Sequence, residues 1–311
     1  MNTLHFKYAV EVEQTRSITQ AAENLYMAQP NLSKAIKELE DSLGIIIFER
    51  NSKGVTPTKK GMAFLEYAKN VLVQIGKMEA LAAEDNASRQ YFNLAIPRGS
   101  YIANGVTRFV AALDPQKEMD VNIKETNSMD AIAGVSEGTF NLGIVRYQSD
   151  YEKYFLDYME DKNLCQDLIW EFEHLALFSE KHPLAQAPEL NREQMEAYVE
   201  IVHGDTAVPY LPAQDLRRCE RGKEKHRICV YERGSQFDML TDIPWTYMWV
   251  SPIPDALLER YGLVQRRCAG QTARYKDVLI YPREYKFTEL DKKFIDQLYA
   301  SKNEVAFREY R

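Results

Sequence analysis

The chain has 311 residues, is 45% hydrophobic and 27% charged, and carries a formal net charge of −7. That length allows two or three domains with a sizeable core, and the lack of any run of about 18 apolar residues excludes a membrane-spanning helix. The start, "MNTLHFKYAVEVEQ", has no basic head followed by an apolar stretch, so no export signal is read there and a cytoplasmic location is expected.

The acidity is unevenly placed. Residues 1–90 hold 11 Lys and Arg against 11 Asp and Glu, leaving 28 against 35 for residues 91–311. A balanced N-terminal part is compatible with nucleic acid, because local clustering matters more than the total. The four cysteines, Cys165, Cys219, Cys229 and Cys268, read as reduced thiols in a long chain that is not secreted.

Leu4, Phe6, Tyr8 and Val12 gather on a first helix. Ser17 and Gln20 form a capping-box pattern that opens a second, followed by Ala21, Ala22 and Leu25. After the tight connection "YMAQ", residues 27–44 read as a third helix with an apolar stripe of Leu32, Ala35, Ile36, Leu39 and Leu43. Gly44 stands where a helix commonly ends in the left-handed conformation. Two short helices joined tightly make a helix-turn-helix. "IIIFER", "NSKG" and "VTPT" then read as a strand, a turn and a returning strand, a β-hairpin wing.

The polar face of the third helix is what needs explaining. Gln29, Pro30, Asn31, Ser33, Lys34 and Lys37 concentrate hydrogen-bonding reach at its start, which suits base edges in a major groove. Lys34 and Lys37 suit phosphates equally, as does Thr58 at the next helix start. Arg50 and Lys53 flank the wing turn, within reach of a minor groove or backbone.

Thr58 opens a helix of about 30 residues by its spacing, with Phe64, Ala68, Val71, Ile75, Met78 and Ala82 in a 3.5-residue period. That period predicts a dimer seam; the alternative is a helix lying on its own domain's core. From Phe92 strands alternate with helices, which predicts mostly parallel sheets with crossover helices, in two similar subdomains. Ligands in such sheets bind beyond the carboxyl ends of strands. Those positions hold Arg98, Gly99, Ser100, Tyr101, Asn127, Ser128, Arg146, His203, Gly204, Asp205, Arg233 and Ser235. Their arginines, with the helix starts near Ser100, Ser128 and Ser235, suit a small anion, a carboxylate above all, once the resemblance described next places an effector at such loops.

The run "SITQAAENLYMAQPNLSKAIKELEDSLGIIIFERNSKGVTPTKKG" resembles the DNA-binding segment of LysR-type transcriptional regulators, in Ala21-Ala22, "QPNLS" at 29–33, "FER" at 48–50 and "TPTKKG" at 56–61. The resemblance is specific over residues 1–61. It implies an α/β chain: a winged helix-turn-helix DNA-binding domain at 1–58, a dimerising linker helix at 59–90 and an effector-binding domain at 91–311. The last is a pair of α/β subdomains resembling periplasmic binding proteins, subdomain I at about 91–162 and 268–311 and subdomain II at about 163–267, with crossings near 160–166 and 264–270. It also implies double-stranded DNA, a homodimer or homotetramer, a small-molecule effector and RNA polymerase as partners, no membrane, no cofactor and no catalysis. One departure is Ala28, where many members have Ser or Thr; losing that cap costs about 1 kcal/mol, partly offset by Pro30 in the first turn.

Three features are set aside. "GVSEG" at 134–138 has the spacing of a hydrolase nucleophile elbow but ends a helix rather than opening one. Cys219 and Cys229 are spaced like a pair in peroxide-sensing relatives, yet Cys229 lies in "RICVY", read as a buried and inert strand. "RRCERGKEKHR" at 217–227 reads as a solvated basic face, and no metal-ligand spacing appears. A solute receptor, an enzyme or a purely architectural DNA-binding protein are the competing readings; the lack of an export signal, of a catalytic set, and the large C-terminal region weigh against each in turn.

Overall fold

A computed structural model describes residues 3–51, 54–82, 89–205, 226–231 and 234–310, and the chain divides into two units, Met1–Ala87 and Ser88–Arg311. In the first, α1 (Thr3–Thr15) buries Phe6, Ala9 and Val12, while Leu4, expected beside them, is exposed. Ser17 caps α2 (Ile18–Asn24), its hydroxyl accepting from the Gln20 N–H at 3.3 Å. The turn that follows holds Tyr26 at φ +51°.

Helix α3 (Gln29–Leu43) buries Leu32, Ala35, Ile36 and Leu39. Ala28 gives it no side-chain cap, Pro30 stands in its first turn, and Gly44 ends it at φ 67°, ψ 24°. The wing is β1 (Phe48–Asn51) antiparallel to β2 (Gly54–Pro57). The Glu40 carboxylate ties it to α3 by accepting from the Ile47 and Phe48 N–H groups at 2.7 and 3.0 Å. The Arg16 carbonyl holds its other strand, accepting from the Val55 N–H at 3.0 Å.

Helix α4 (Lys59–Ala82) corrects the expected seam. Ala68 is buried with Leu65, and Phe64 and Leu72 pack on the same core as α1 and α3. Phe64 and Ala68 therefore belong to the domain's own core. A 3.5-residue period drifts across the face of a 3.6-residue helix, so one stripe began on the core side and continued outward. Among the described residues of α4, the exposed large apolar side chains are Met62 (56%), Tyr67 (71%), Val71 (39%) and Met78 (67%); the last three are four and seven apart, with Ile75 half-buried beside them.

In the second unit, one sheet has the order β4-β3-β5-β12-β6: β3 (Arg89–Ile96), β4 (Glu118–Glu125), β5 (Leu142–Gln148), β6 (Leu164–Glu173) and β12 (Arg274–Pro282). Around it lie α5 (Ser100–Ala111), α6 (Ser128–Ser136), α7 (Glu152–Asp161) and α11 (Glu289–Ala306), the last opened by a capping box of Thr288 and Asp291. The other sheet has the order β11-β7-β10-β8-β9: β7 (Leu175–Ser179), β8 (Val199–His203), β9 (Arg227–Val230), β10 (Thr246–Val250) and β11 (Leu263–Arg266). With it go α8 (Arg192–Met195), α9 (Gly234–Asp242) and α10 (Asp255–Tyr261).

Two expectations change. Each sheet is mixed: β3 runs parallel to β4 and β5, and β8 to β9 and β10, but β12, β6, β7 and β11 enter antiparallel contacts. The subdomain boundary at 162/163 also moves. Strand β6 pairs with β12 from Glu173↔Arg274 to Leu164↔Pro282, so it belongs to the first lobe. The chain crosses at His174, between β6 and β7, and returns between Ala269, bridged to Asn191 in the second lobe, and Arg274.

Close approach fixes one glycine in the N-terminal unit. A Cβ on Gly61 would lie 2.0 Å from the Ile47 carbonyl oxygen, where α4 meets the start of the wing. Helix propensity alone favours Gly61→Ala by about 1 kcal/mol, whereas the clash predicts a loss of about 1–3 kcal/mol. Denaturant unfolding followed by circular dichroism at 222 nm decides the sign, and a gain in stability would refute the close approach.

Candidate functional site

The first site is the outer face of α3. Asn31, Lys34 and Lys37 are exposed, Pro30 is exposed beside them, and Gln29 and Ser33 are half-buried. Lys34 makes only a loose pair with Glu38, 3.8 Å apart with both side chains mostly exposed, which leaves the ammonium free to exchange partners. The stripe of Leu32, Ala35, Ile36 and Leu39 anchors the opposite side, so the polar start of the helix faces outward from a fixed base.

Thr58 plays a different part from the one expected. Its hydroxyl accepts from the Gly61 N–H at 2.8 Å and donates to the Ile46 carbonyl at 2.7 Å, so it caps α4. Arg50 lies on β1 opposite Val55, while Lys53 is outside the described residues. Tyr26, 98% exposed in the turn before α3, was missed by periodicity because it belongs to no stripe.

The second site is the crevice at the carboxyl ends of β3, β4, β5, β8 and β9. Its two described arginines already hold carboxylates. Arg98, just past β3, donates to both Asp205 oxygens at 2.7 and 2.9 Å, and to the Tyr231 carbonyl at 2.9 Å. Arg146, on β5, donates from Nε and an Nη to both oxygens of fully buried Asp277 at 2.7 and 2.6 Å. The expectation of free guanidinium groups is therefore corrected: each is neutralised from within the chain.

Other residues are structural in ways their sequence positions did not reveal. Tyr101, expected to touch an effector, is fully buried and donates its hydroxyl to Asp277. Burial, then the Asp277 charge, pushes its pKa well up. Gly99 leaves room for Arg146, since a Cβ there would sit 2.8 Å from its Nη2. Asn127 caps α6, accepting from the Asp130 N–H at 2.9 Å. Ser128 donates to the Arg146 carbonyl at 2.5 Å and accepts from its N–H at 3.2 Å. Ser100 is buried at the start of α5, and Ser235 is exposed on α9. Arg233 lies outside the described residues.

Sequence reasoning also missed the apolar lining. Phe172 lies under the Arg146 guanidinium at 4.9 Å, and His174, at the crossing, stacks on Tyr275 with centroids 3.7 Å apart. Burial, then Arg146 and His203, depress the His174 pKa well below the ordinary histidine value, so it is neutral at pH 7. His203 shares a 2.8 Å hydrogen bond with Gln236. The available signal was Asp277 itself: an acid inside "YKDVLIYP" needs a cation to be buried.

The set-aside features also find places. "GVSEG" spans the end of α6, and Gly138 follows at φ 80°, the reverse of an elbow that opens a helix. Cys229 proves exposed, contrary to expectation, because β9 is the edge strand of its sheet; Cys219 is outside the described residues. Cys268 is buried, and burial pushes its thiol pKa up. Among the described residues no group of three or more His, Cys, Asp or Glu is placed to hold a metal, and no helix is long and apolar enough to cross a membrane.

Residues 4–62, which contain the helix-turn-helix and wing, match the family described as bacterial regulatory helix-turn-helix protein, lysR family. The N-terminal segment thus carries a helix-turn-helix of the lysR-family type. It is 44% identical over 73 residues to the HTH-type transcriptional regulator BsdA of Bacillus subtilis, covering 23% of this chain and 25% of that protein. It is 25% identical over 198 residues to the hydrogen peroxide-inducible genes activator of Haemophilus influenzae, covering 63% and 62%. The chain thus spans a quarter and about three fifths of the lengths of these two relatives, which are regulators rather than enzymes. The crystal structure of CbnR, a LysR family transcriptional regulator, shares the fold at TM-score 0.64 with 18% identity, over 97% of this chain and 99% of that one.

The Arg146–Asp277 pair should dominate the stability of the second unit. Asp277→Ala leaves a guanidinium uncompensated and should cost about 3–5 kcal/mol. All three tryptophans (Trp170, Trp245 and Trp249) lie in that unit, so fluorescence-monitored unfolding reports it alone. A loss below about 1 kcal/mol would refute the assignment.

Proposed function

We propose that the chain is a sequence-specific, DNA-binding transcriptional regulator whose activity is set by a small carboxylate bound between the two lobes of its second unit. The observation that carries the DNA half is the start of α3, where Gln29, Asn31 and Lys34 stand outward on a buried apolar stripe. Gln and Asn pair bidentately with adenine and Lys with guanine, while Lys37 and the wing Arg50 suit phosphates. The LysR match over residues 4–62 and the complex of CbnR with its target DNA support the same reading.

Regulation of transcription brings RNA polymerase in as a partner, in the cytoplasm, and no cofactor is part of this reading. The chain acts as a homodimer, and as a homotetramer built from dimers. The exposed stripe of Tyr67, Val71 and Met78 on α4 supports the pairing, with Ile75 at its margin. A two-fold protein reads paired half-sites. The effector half rests on the Arg98 guanidinium, placed past a strand end with the apolar rings of Phe172 and Tyr275 elsewhere in the same lobe.

Two expected outcomes test the DNA half. With sites recovered from genomic fragments by selection on the parent protein, Gln29→Ala should lose about 1–3 kcal/mol at the selected site and discriminate less between sequences. Unchanged affinity and selectivity would remove Gln29 from the reading surface. Val71→Asp should shift sedimentation toward the monomer and lower DNA affinity with it, by placing like charges in an apolar seam. A fully dimeric Val71→Asp protein would place the main interface elsewhere.

A further inference from the structure

We infer that Asp205 is an internal carboxylate ligand of Arg98, strapping the two lobes of the second unit together and standing in the place an anionic ligand must take. The inference rests on the proposal that the crevice binds a carboxylate, and adds how access to it is controlled. Arg98 belongs to the first lobe and Asp205 to the second, 107 residues away, and the contact is bidentate at 2.7 and 2.9 Å. Fork-to-fork pairing is the geometry by which arginine recognises a free carboxylate. The Arg98 side chain is 11% exposed and that of Asp205 28%, so the pair is largely shielded from water.

The surroundings are built for this contact. Arg98 donates a third bond to the Tyr231 carbonyl, also in the second lobe. The Tyr231 ring lies flat on Gly204, where a Cβ would come within 2.5 Å of it. Gly204 in turn donates its N–H to the Val230 carbonyl at 2.9 Å, joining the ends of β8 and β9 beside Asp205. Two groups of the second lobe, the Asp205 carboxylate and the Tyr231 carbonyl, thus converge on one guanidinium through three hydrogen bonds.

Arg146 offers a contrast. Its partner Asp277 is fully buried, comes from the same sheet, and receives a further bond from Tyr101. Exchange there would expose a desolvated charge. Asp205 has no such enclosure and can swing out to water while a ligand carboxylate takes the fork. A second contact between the lobes, Arg308 with Asp255, lies on the surface with side chains 38% and 53% exposed. It provides a control, since surface pairs contribute little.

The test uses the full chain. Backbone hydrogen exchange, read without ligand, should speed up by about tenfold around residues 97–101 and 227–231 in Asp205→Asn and Gly204→Ala, but hardly in Arg308→Ala. Equal rates in all four proteins, or equal acceleration in Arg308→Ala, would overturn the strap. Sodium acetate at constant ionic strength serves as the ligand probe, with thermal stability as the readout. Asp205→Asn should respond at about one tenth of the concentration the parent needs, and Arg98→Ala should not respond. Faster exchange without any gain in acetate affinity overturns Asp205 as a competitor. DNA selection with Gln29→Ala judges the regulator reading separately.

Discussion

The buried pair of Arg146 and Asp277 is the constraint around which the first lobe is arranged. Removing two charges from water costs several kcal/mol per ion, and attraction recovers this only with good geometry and further hydrogen bonds. Each demand has a named residue. Arg146 Nε and an Nη fill both Asp277 oxygens, and Tyr101 adds a donor. Phe172 covers the guanidinium face, a contact that gains strength where water is excluded. Gly99 keeps the space open, and Ser128 fixes the Arg146 backbone from both its N–H and its carbonyl. The same positive charge helps to keep His174 neutral at the point where the chain leaves the lobe.

The two units illustrate different physical economies. The helix-turn-helix is held by short-range devices: the Ser17 cap, the left-handed Gly44, and the Glu40 carboxylate reaching the wing. Its weak point is Ala28, where a cap hydrogen bond is missing. The second unit is held at long range, by strands that return to the first sheet after more than a hundred residues. That topology brings the carboxyl ends of parallel strands from both lobes to one crevice.

What the sequence disclosed follows that division. Helix α3, its end at Gly44 and the hairpin were all legible, because the residues that decide them lie within a few positions. Arg98 was located correctly past its strand, but Arg146 lies within β5 and His203 ends β8, and the partners of the two arginines were not foreseen. Arg98 and Arg146 look identical in sequence, and their partners are 107 and 131 residues away. Charge and position can be read locally; neutralisation cannot. Phe64 and Ala68 were misassigned on α4 for another reason. Phe64 and Val71 share a heptad pattern, yet burial separates them, since among the described residues it is Phe64, Leu65, Ala68 and Leu72 of α4 that pack on the core of α1 and α3. Strand β6 was assigned to the wrong lobe because hydrophobic alternation identifies a strand without naming its neighbour.

The contrast between the two arginines bears on how a ligand acts. A ligand shifts a conformational equilibrium only by its difference in affinity between the two arrangements, and equal binding to both shifts nothing. An arginine free in every arrangement would supply affinity without response. One sealed by a fully buried acid, as Arg146 is by Asp277, supplies neither. Arg98 lies between these limits: its acid comes from the other lobe and is partly exposed. A carboxylate that takes the fork from Asp205 therefore binds the parted lobes and excludes the strapped ones. The free energy of that exchange is the energy available to move the lobes, and it is small because one carboxylate replaces another. Response in such a device comes from near-balance rather than from tight binding.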